Sequence, residues 1–236
     1  MPSAFSDLQD KLDRFMEDQL DTDASGDAKA RRFPLPTRIY SWNWAQLVLV
    51  HHTPRQRSMT LEIDTDERSA VLPDDFFEVM GIYDSYEEYW WRRMSVQPGD
   101  YRDTDSDLPE YWIWDGKMLL ERDIDIGSTD LTLYYWAYYP DVEFEVGTSE
   151  GEENPEDITY TQETVYTPRW AESAMLHLCT AFCWQPLSIE ASDINEWRIE
   201  VDAGTPMHNP RQSAAWDHYR WWNELLGRIS PARRKA

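Results

Sequence analysis

The sequence is short of cysteine, of basic residues and of long apolar runs, and each shortage narrows what the chain can do. Of its 236 residues only 2 are cysteines, Cys179 and Cys183, four apart on a segment with helical patterning. At that spacing on a helix the Cβ atoms stand too far apart for relaxed disulfide geometry. They read as buried thiols suited to a reducing compartment, in surroundings too apolar for a catalytic nucleophile. No apolar stretch reaches the roughly 18 to 20 residues of a helical span, so no membrane partner is expected. The opening "MPSAFSDLQDKLDRF" turns charged before an apolar run forms, so no secretory signal is expected either. With 22 Lys and Arg against 45 Asp and Glu, the formal net charge is −23. Phosphate binding needs clustered cations, which argues against a protein that wraps nucleic acid. An acidic wall past which nucleic acid slides without sticking stays open.

Recognisable chemistry is also scarce. Neither GxxxxGK[ST] nor GxGxxG occurs. In "DTDASGDAKARR", Asp21, Asp23, Ser25, Gly26 and Asp27 follow the ligand pattern of a calcium loop. Arg32 stands where a bidentate Glu belongs, so the segment reads as a polar linker. The 5 histidines, His51, His52, His177, His208 and His218, make no usual zinc spacing with the cysteines. "GTSEG" (147–151) matches a nucleophile elbow with Ser149 as nucleophile, yet "EENPED" is a poor helix to follow it. With 45 acids, no carboxylate pair can be singled out for glycoside chemistry. The expectation is a protein that is not an enzyme and uses no metal and no cofactor.

What the chain has in abundance is aromatic surface: 13 Trp and 13 Tyr, within a 41% hydrophobic composition. "LTLYYWAYYP" (131–140) alone carries five rings. Leu131, Leu133 and Tyr135 alternate with Thr132, Tyr134 and Trp136, a strand whose two faces are both bulky. Two classes of use compete: packing within a sheet or assembly, or a platform for sugars, since Trp and Tyr offer an apolar face with a polar handle.

The periodicity orders the chain as helices, sheet, helices. Residues 1–56 read as an N-terminal helical hairpin, with a stripe at Phe5, Leu8, Leu12, Phe15, Met16 and Leu20, Ser6 as its cap, and a second helix over 37–52 with Ile39, Trp42, Ala45 and Leu49 on one face. Residues 57–140 read as an antiparallel β region, with strands at "SMTLEI" (58–63), "FFEVMGIY" (76–83) and the closing 131–140 segment. Asp115–Gly116 between two apolar runs signals a type I′ hairpin. Residues 141–166 hold nine acids and no base and read as a solvated acidic loop, although "DVEFEV" at its start could extend a strand. Residues 167–236 read as C-terminal helices and a basic tail. Thr167 is the expected cap of the first, Trp170, Ala174, Leu178, Ala181 and Phe182 form its stripe, and a short helix is expected over 188–198. The last helix (211–229) carries Ala215, Tyr219, Trp222, Leu226 and Ile229 on one side. The expected fold is α+β: N- and C-terminal helices (5–56 and 167–229) forming a helical core with an inserted antiparallel β-meander.

In that order the sequence resembles the head-to-tail adaptor (connector) proteins of tailed bacteriophages. The phrases that carry the resemblance are "LPDDFFEVMGIY" (72–83), "YWIWDGKMLLERDI" (111–124), "TDLTLYYWAYYPDV" (129–142), "TPRWAESAMLHLCTAFCW" (167–184) and "NPRQSAAWDHYRWWNELLGRI" (209–229). The segment "RDIDIGST" (122–129) departs from the proline turn expected before the closing strand. The resemblance implies a virion protein of the neck, assembled in the host cytoplasm. It implies a ring of twelve copies of itself beneath the capsid portal, contacts with the tail tube, nozzle or next neck protein, and transient passage of double-stranded DNA. On that reading Tyr219, Trp222, Leu226, Ile229, Arg233, Arg234 and Lys235 are portal-contact candidates. Glu143, Glu145, Glu150, Glu152, Glu153, Glu156 and Asp157 are channel- or tail-facing candidates, and Tyr134, Trp136 and Tyr138 are subunit-packing candidates. A tail-completion or gatekeeper neck protein of similar build and an aromatic-rich glycan-binding module are the alternatives. If the basic tail docks on the portal, deleting 230–236 weakens portal attachment in a pull-down while leaving the circular dichroism spectrum unchanged; unaltered attachment removes that assignment.

Overall fold

Buried polar contacts, more than helix propensity, decide where the N-terminal helices end up. A computed structural model describes residues 2–16, 33–64, 67–93, 109–120, 130–149, 152–184 and 210–229. The fold is α+β, with N- and C-terminal helices and an inserted, largely antiparallel sheet. The helices are α1 (Ser6–Met16), α2 (Leu35–Val50), α3 (172–184) and α4 (Pro210–Ile229). The strands are β1 (Ser3–Ala4), β2 (Arg55–Thr60), β3 (Ile63–Asp64), β4 (Ser69–Val71), β5 (Phe76–Asp84) and β6 (Tyr89–Arg93), then β7 (Glu110–Trp114), β8 (Lys117–Leu120), β9 (Leu131–Ala137), β10 (Glu143–Ser149), β11 (Glu152–Gln162) and β12 (Thr164–Val165). The chain divides into a helical unit, Met1–Thr53 with Tyr139–Ala236, and a sheet unit, Pro54–Tyr138. The linker with the calcium-like pattern and the short helix expected over 188–198 lie outside the described residues.

In the helical unit, α1 buries Leu8, Leu12 and Met16, and α2 buries Ile39, Trp42, Ala45 and Leu49, as the 3.6-residue period predicts. Arg38 on α2 is fully buried as well. Its Nε donates to the Phe33 carbonyl at 2.8 Å, its Nη1 pairs with Asp13 of α1, and its own carbonyl accepts the Cys179 thiol of α3 at 3.6 Å. Cys183 donates to the Ser41 hydroxyl at 3.2 Å. Both thiols are buried and neither forms a disulfide, and burial pushes the Cys179 thiol well up, away from thiolate. Asn43 of α2 grips the returning chain at two points: its Nδ2 donates to the Val142 carbonyl at 3.0 Å, and its Oδ1 accepts the Val142 N–H at 2.9 Å.

The starts of α1 and α3 draw on distant residues. Ser6 opens α1, and its N–H donates to the Glu163 carboxylate at 2.8 Å, where negative charge meets the helix dipole. Glu163 also accepts the Phe5 N–H through its carbonyl, beside the β1–β12 pair. Thr167 does not cap α3; Pro168 precedes a 3-10 turn (Arg169–Ala171), and the Thr167 hydroxyl donates to Gln46 at 3.3 Å. Trp170, expected on the buried stripe, is 48% exposed because it sits in that turn and not on the helix.

The acidic loop expected over 141–166 is instead a two-stranded antiparallel sheet, β10 with β11. Phe144 and Val146 alternate with Glu143 and Glu145, and Ile158 and Tyr160 alternate with Asp157, Thr159 and Thr161. This period-2 pattern gives the hairpin a half-buried apolar face, and the density of acids hides it in the sequence. The register slips at Gly147, where the Asp157 carboxylate occupies the space a Cβ would need.

The sheet unit is one eight-stranded sheet in the order β2-β9-β5-β6-β7-β8-β4-β3. It is not a simple meander: β6 and β7 pair in parallel, and β9 returns to lie between β2 and β5. The "SMTLEI" strand is split, because β2 ends at Thr60 on one edge and β3 begins at Ile63 on the other. Only Leu61 and Glu62 join those edges, a reach of about 11 Å at most, so the sheet rolls until its edges approach. Inside lie Ile82, Met118, Leu120, Leu131, Leu133, Tyr135 and Ala137. Asp115 and Gly116 turn the β7–β8 hairpin with φ of 49° and 72°, the two left-handed residues of a type I′ turn.

The buried guanidinium gives a stability prediction. Asp13→Ala removes a charged hydrogen-bond partner from the buried Arg38 guanidinium, and a loss of about 2 kcal/mol is expected from the urea unfolding midpoint.

Candidate functional site

The strand that would precede a nucleophile elbow exists as β10, but Ser149 is followed by β11 and not by a helix. Among the described residues no group of three or more His, Cys, Asp or Glu is placed to hold a metal, and no helix is long and apolar enough to cross a membrane. A cavity of about 460 Å³ is walled by Asp7, Leu8, Lys11, Trp42, Arg169 and Glu172, and Lys11 pairs with Glu172 at its wall.

The surfaces are more telling. On α2, Tyr40, Trp44 and Leu47 fall at i, i+4 and i+7 and are 61%, 60% and 44% exposed. They form one outward stripe, opposite the buried Ile39, Trp42 and Leu49. Arg38 is the helix's single charged residue, and it points inward. The Tyr40 ring meets Phe144 of β10 edge-on at 5.3 Å, which carries the aromatic surface onto the hairpin. Sequence patterning recorded the inner face of α2 and passed over the outer one, although the lack of charge along "LPTRIYSWNWAQLVLV" was there to be read.

On α4 the expected portal-contact set divides. Tyr219 is exposed, as are Trp216 and Trp221, whereas Trp222 and Leu226 are buried. Trp222 packs edge-on against His52 at 5.5 Å, so Trp222 and Leu226 hold α4 to its own unit; their assignment as contact residues is corrected on that ground. Ile229 ends the helix backbone, and Arg233, Arg234 and Lys235 lie outside the described residues. The channel-facing set fares differently. Glu143, Glu145 and Asp157 are exposed along the hairpin, and Glu152, Glu153 and Glu156 fall within β11. Glu150 lies outside the described residues. At the hairpin's base, burial and the nearby Glu143 raise the Asp141 carboxyl above its ordinary range.

Of the subunit-packing candidates, Tyr134, Trp136 and Tyr138 are all half-buried within their own unit. Trp90 lies over Gly81 and meets Tyr134 at 5.4 Å, and Tyr138 meets Phe77 at 5.2 Å. The second face of β9 is therefore covered in part by β5 and β6 side chains, with Trp90 itself 53% exposed.

One pairing could not have been found from spacing. His177 of α3 and His218 of α4, 41 residues apart, bring their Nδ1 atoms within 2.9 Å. Phe15 packs edge-on against His177 at 4.8 Å, and Trp221 stacks at 6.3 Å. Burial, then the neighbouring His218, lowers the His177 pKa to about 4 from its ordinary 6.5. Between those values the unfolded chain holds a proton that folded His177 refuses, so this group makes stability rise with pH from about 4 to about 6.5. His177→Gln is expected to flatten that part of the stability profile measured by thermal melts across pH; an unchanged slope would show that His177 does not set it. Compared with known proteins, the chain matches no protein-family model and no curated protein.

Proposed function

We propose that this chain is a structural virion protein, a ring adaptor seated between the capsid portal and the tail that extends the DNA channel. The observation that carries this reading is apolar surface left uncovered by a strongly acidic chain. Tyr40, Trp44 and Leu47 on α2 and Trp216, Tyr219 and Trp221 on α4 are all at least two-fifths exposed, in a chain of net charge −23. Exposed aromatic surface of this character is favoured at sites of association. Closed rings of identical subunits bury it without a specialised partner. The acidic hairpin fits the same reading, because Glu143, Glu145 and Asp157 present like charge to a passing phosphate backbone. Terminal helices around an inserted sheet also agree with the architecture that the adaptor resemblance implies.

A glycan-binding module would draw on different residues, the exposed Trp90 and Trp114 of the sheet unit. The two readings separate by mixing the full chain with a tailed-bacteriophage portal protein and measuring mass and rotational symmetry. A ring with the portal's copy number is the expected result. A monomer that ignores an assembled portal, yet is retained on a glycan surface through Trp114, would replace the adaptor reading with the binding module.

A further inference from the structure

Among the exposed aromatic surfaces, the outer stripe of α2 differs in its charge. The α4 face interleaves its rings with exposed Asp217, Arg220 and Glu224. Trp90 follows exposed Glu87 and Glu88, and Trp114 flanks the Asp115 turn opposite Lys117. Along Tyr40, Trp44 and Leu47 α2 itself turns no ionised side chain outward, because the helix's one charge is the buried Arg38. The neighbouring Phe144 keeps this character: Glu143 and Glu145 alternate with it and so point to the other face of β10.

That composition selects the occupant. Nucleic acid needs cations, and the stripe has none. A basic protein needs carboxylates, and the stripe has none of those either. A second copy of this chain arrives with net charge −23, and two such copies repel wherever their carboxylates meet. They approach closely only where both signs are absent and apolar rings can be desolvated. We infer that the Tyr40–Trp44–Leu47 face of α2 is the seat of the neighbouring copy in the ring. This rests on the adaptor reading. In a closed ring each copy offers two unlike faces, and α2 supplies the uncharged aromatic one, with Trp44 as its central anchor.

The test uses the full chain with both outward positions charged, Trp44→Glu together with Leu47→Glu, compared with wild type by native mass spectrometry, alone and on the assembled portal. Wild type is expected to assemble. The double variant is expected to associate on the order of a hundredfold more weakly, the scale of losing a central aromatic anchor, with unchanged circular dichroism and melting. A variant that assembles like wild type excludes the α2 face and leaves the adaptor reading standing. A wild type that never assembles overturns both. Should the double variant fail to fold, Leu47→Cys decides. Its thiol is expected to react with maleimide in the monomer and to be protected in the ring, against a silent background because Cys179 and Cys183 are buried. Equal reactivity in both states overturns the inference. So does protection conferred on a single copy by the portal, which would make the portal the occupant.

Discussion

The helical unit depends on a charge taken out of water. Arg38 has no exposed surface, so its guanidinium must find partners inside the protein, and they lie on different stretches of chain: Asp13 on α1 and the Phe33 carbonyl ahead of α2. The same residue's carbonyl receives Cys179 from α3. A buried pair of this kind adds little net stability over an apolar replacement of the same shape, because desolvation consumes most of the Coulombic gain. Its effect is on specificity. Any arrangement that moves α1 away from α2 takes the Asp13 carboxylate from a buried cation, which costs stability. The outward stripe of α2 is a product of this constraint, since the helix's only charge is committed inward and the exposed face is left to Tyr40, Trp44 and Leu47.

The sheet unit is organised by packing. Strand β9 has neighbours on both edges, and its inward residues Leu131, Leu133, Tyr135 and Ala137 are at most 2% exposed. Tryptophan serves this interior for bulk more than for bonding. The indole N–H groups of Trp91 and Trp112 are buried without a hydrogen-bond partner, as are those of Trp42 and Trp222 in the helical unit. Each such orphan costs about 1–3 kcal/mol, which the buried ring area has to exceed.

What the sequence disclosed follows from how far each signal reaches. The stripes of α1 and α2, the Asp115–Gly116 turn and the alternation of β9 are encoded by residues within one or two turns of each other, and all of these appear in the structure. Contacts between distant segments were illegible. Nothing near Ser6 announces that Glu163 will take its N–H, and nothing in the spacing of His177 and His218 announces their hydrogen bond. The parallel pairing of β6 with β7 and the split of "SMTLEI" are likewise properties of the closed sheet and not of either segment. The β10–β11 hairpin is hidden for another reason: "DVEFEV" shows its strand period, but the acids and turn formers that follow conceal the apolar face of β11. Trp222 and Leu226 show the reverse limit, because a helical stripe identifies a face without saying whether the protein or a partner covers it.

The order of strands also dictates an order of events as the chain emerges from the ribosome. Strand β2 is made early, yet its pairing partner in the sheet is β9, about seventy residues later, and β9 must fit into the gap between β2 and β5. Until Ala137 is available the early strands form an open sheet with two free edges, the form in which β structure is most prone to pair with the wrong chain. Helices α1 and α2 wait longer still, because the Cys179 and Cys183 thiols that meet Arg38 and Ser41 come from α3. Contacts of such long sequence separation make for slow folding. The sheet unit can close once Ala137 is made, whereas the helical unit waits for α3 in the last third of the chain.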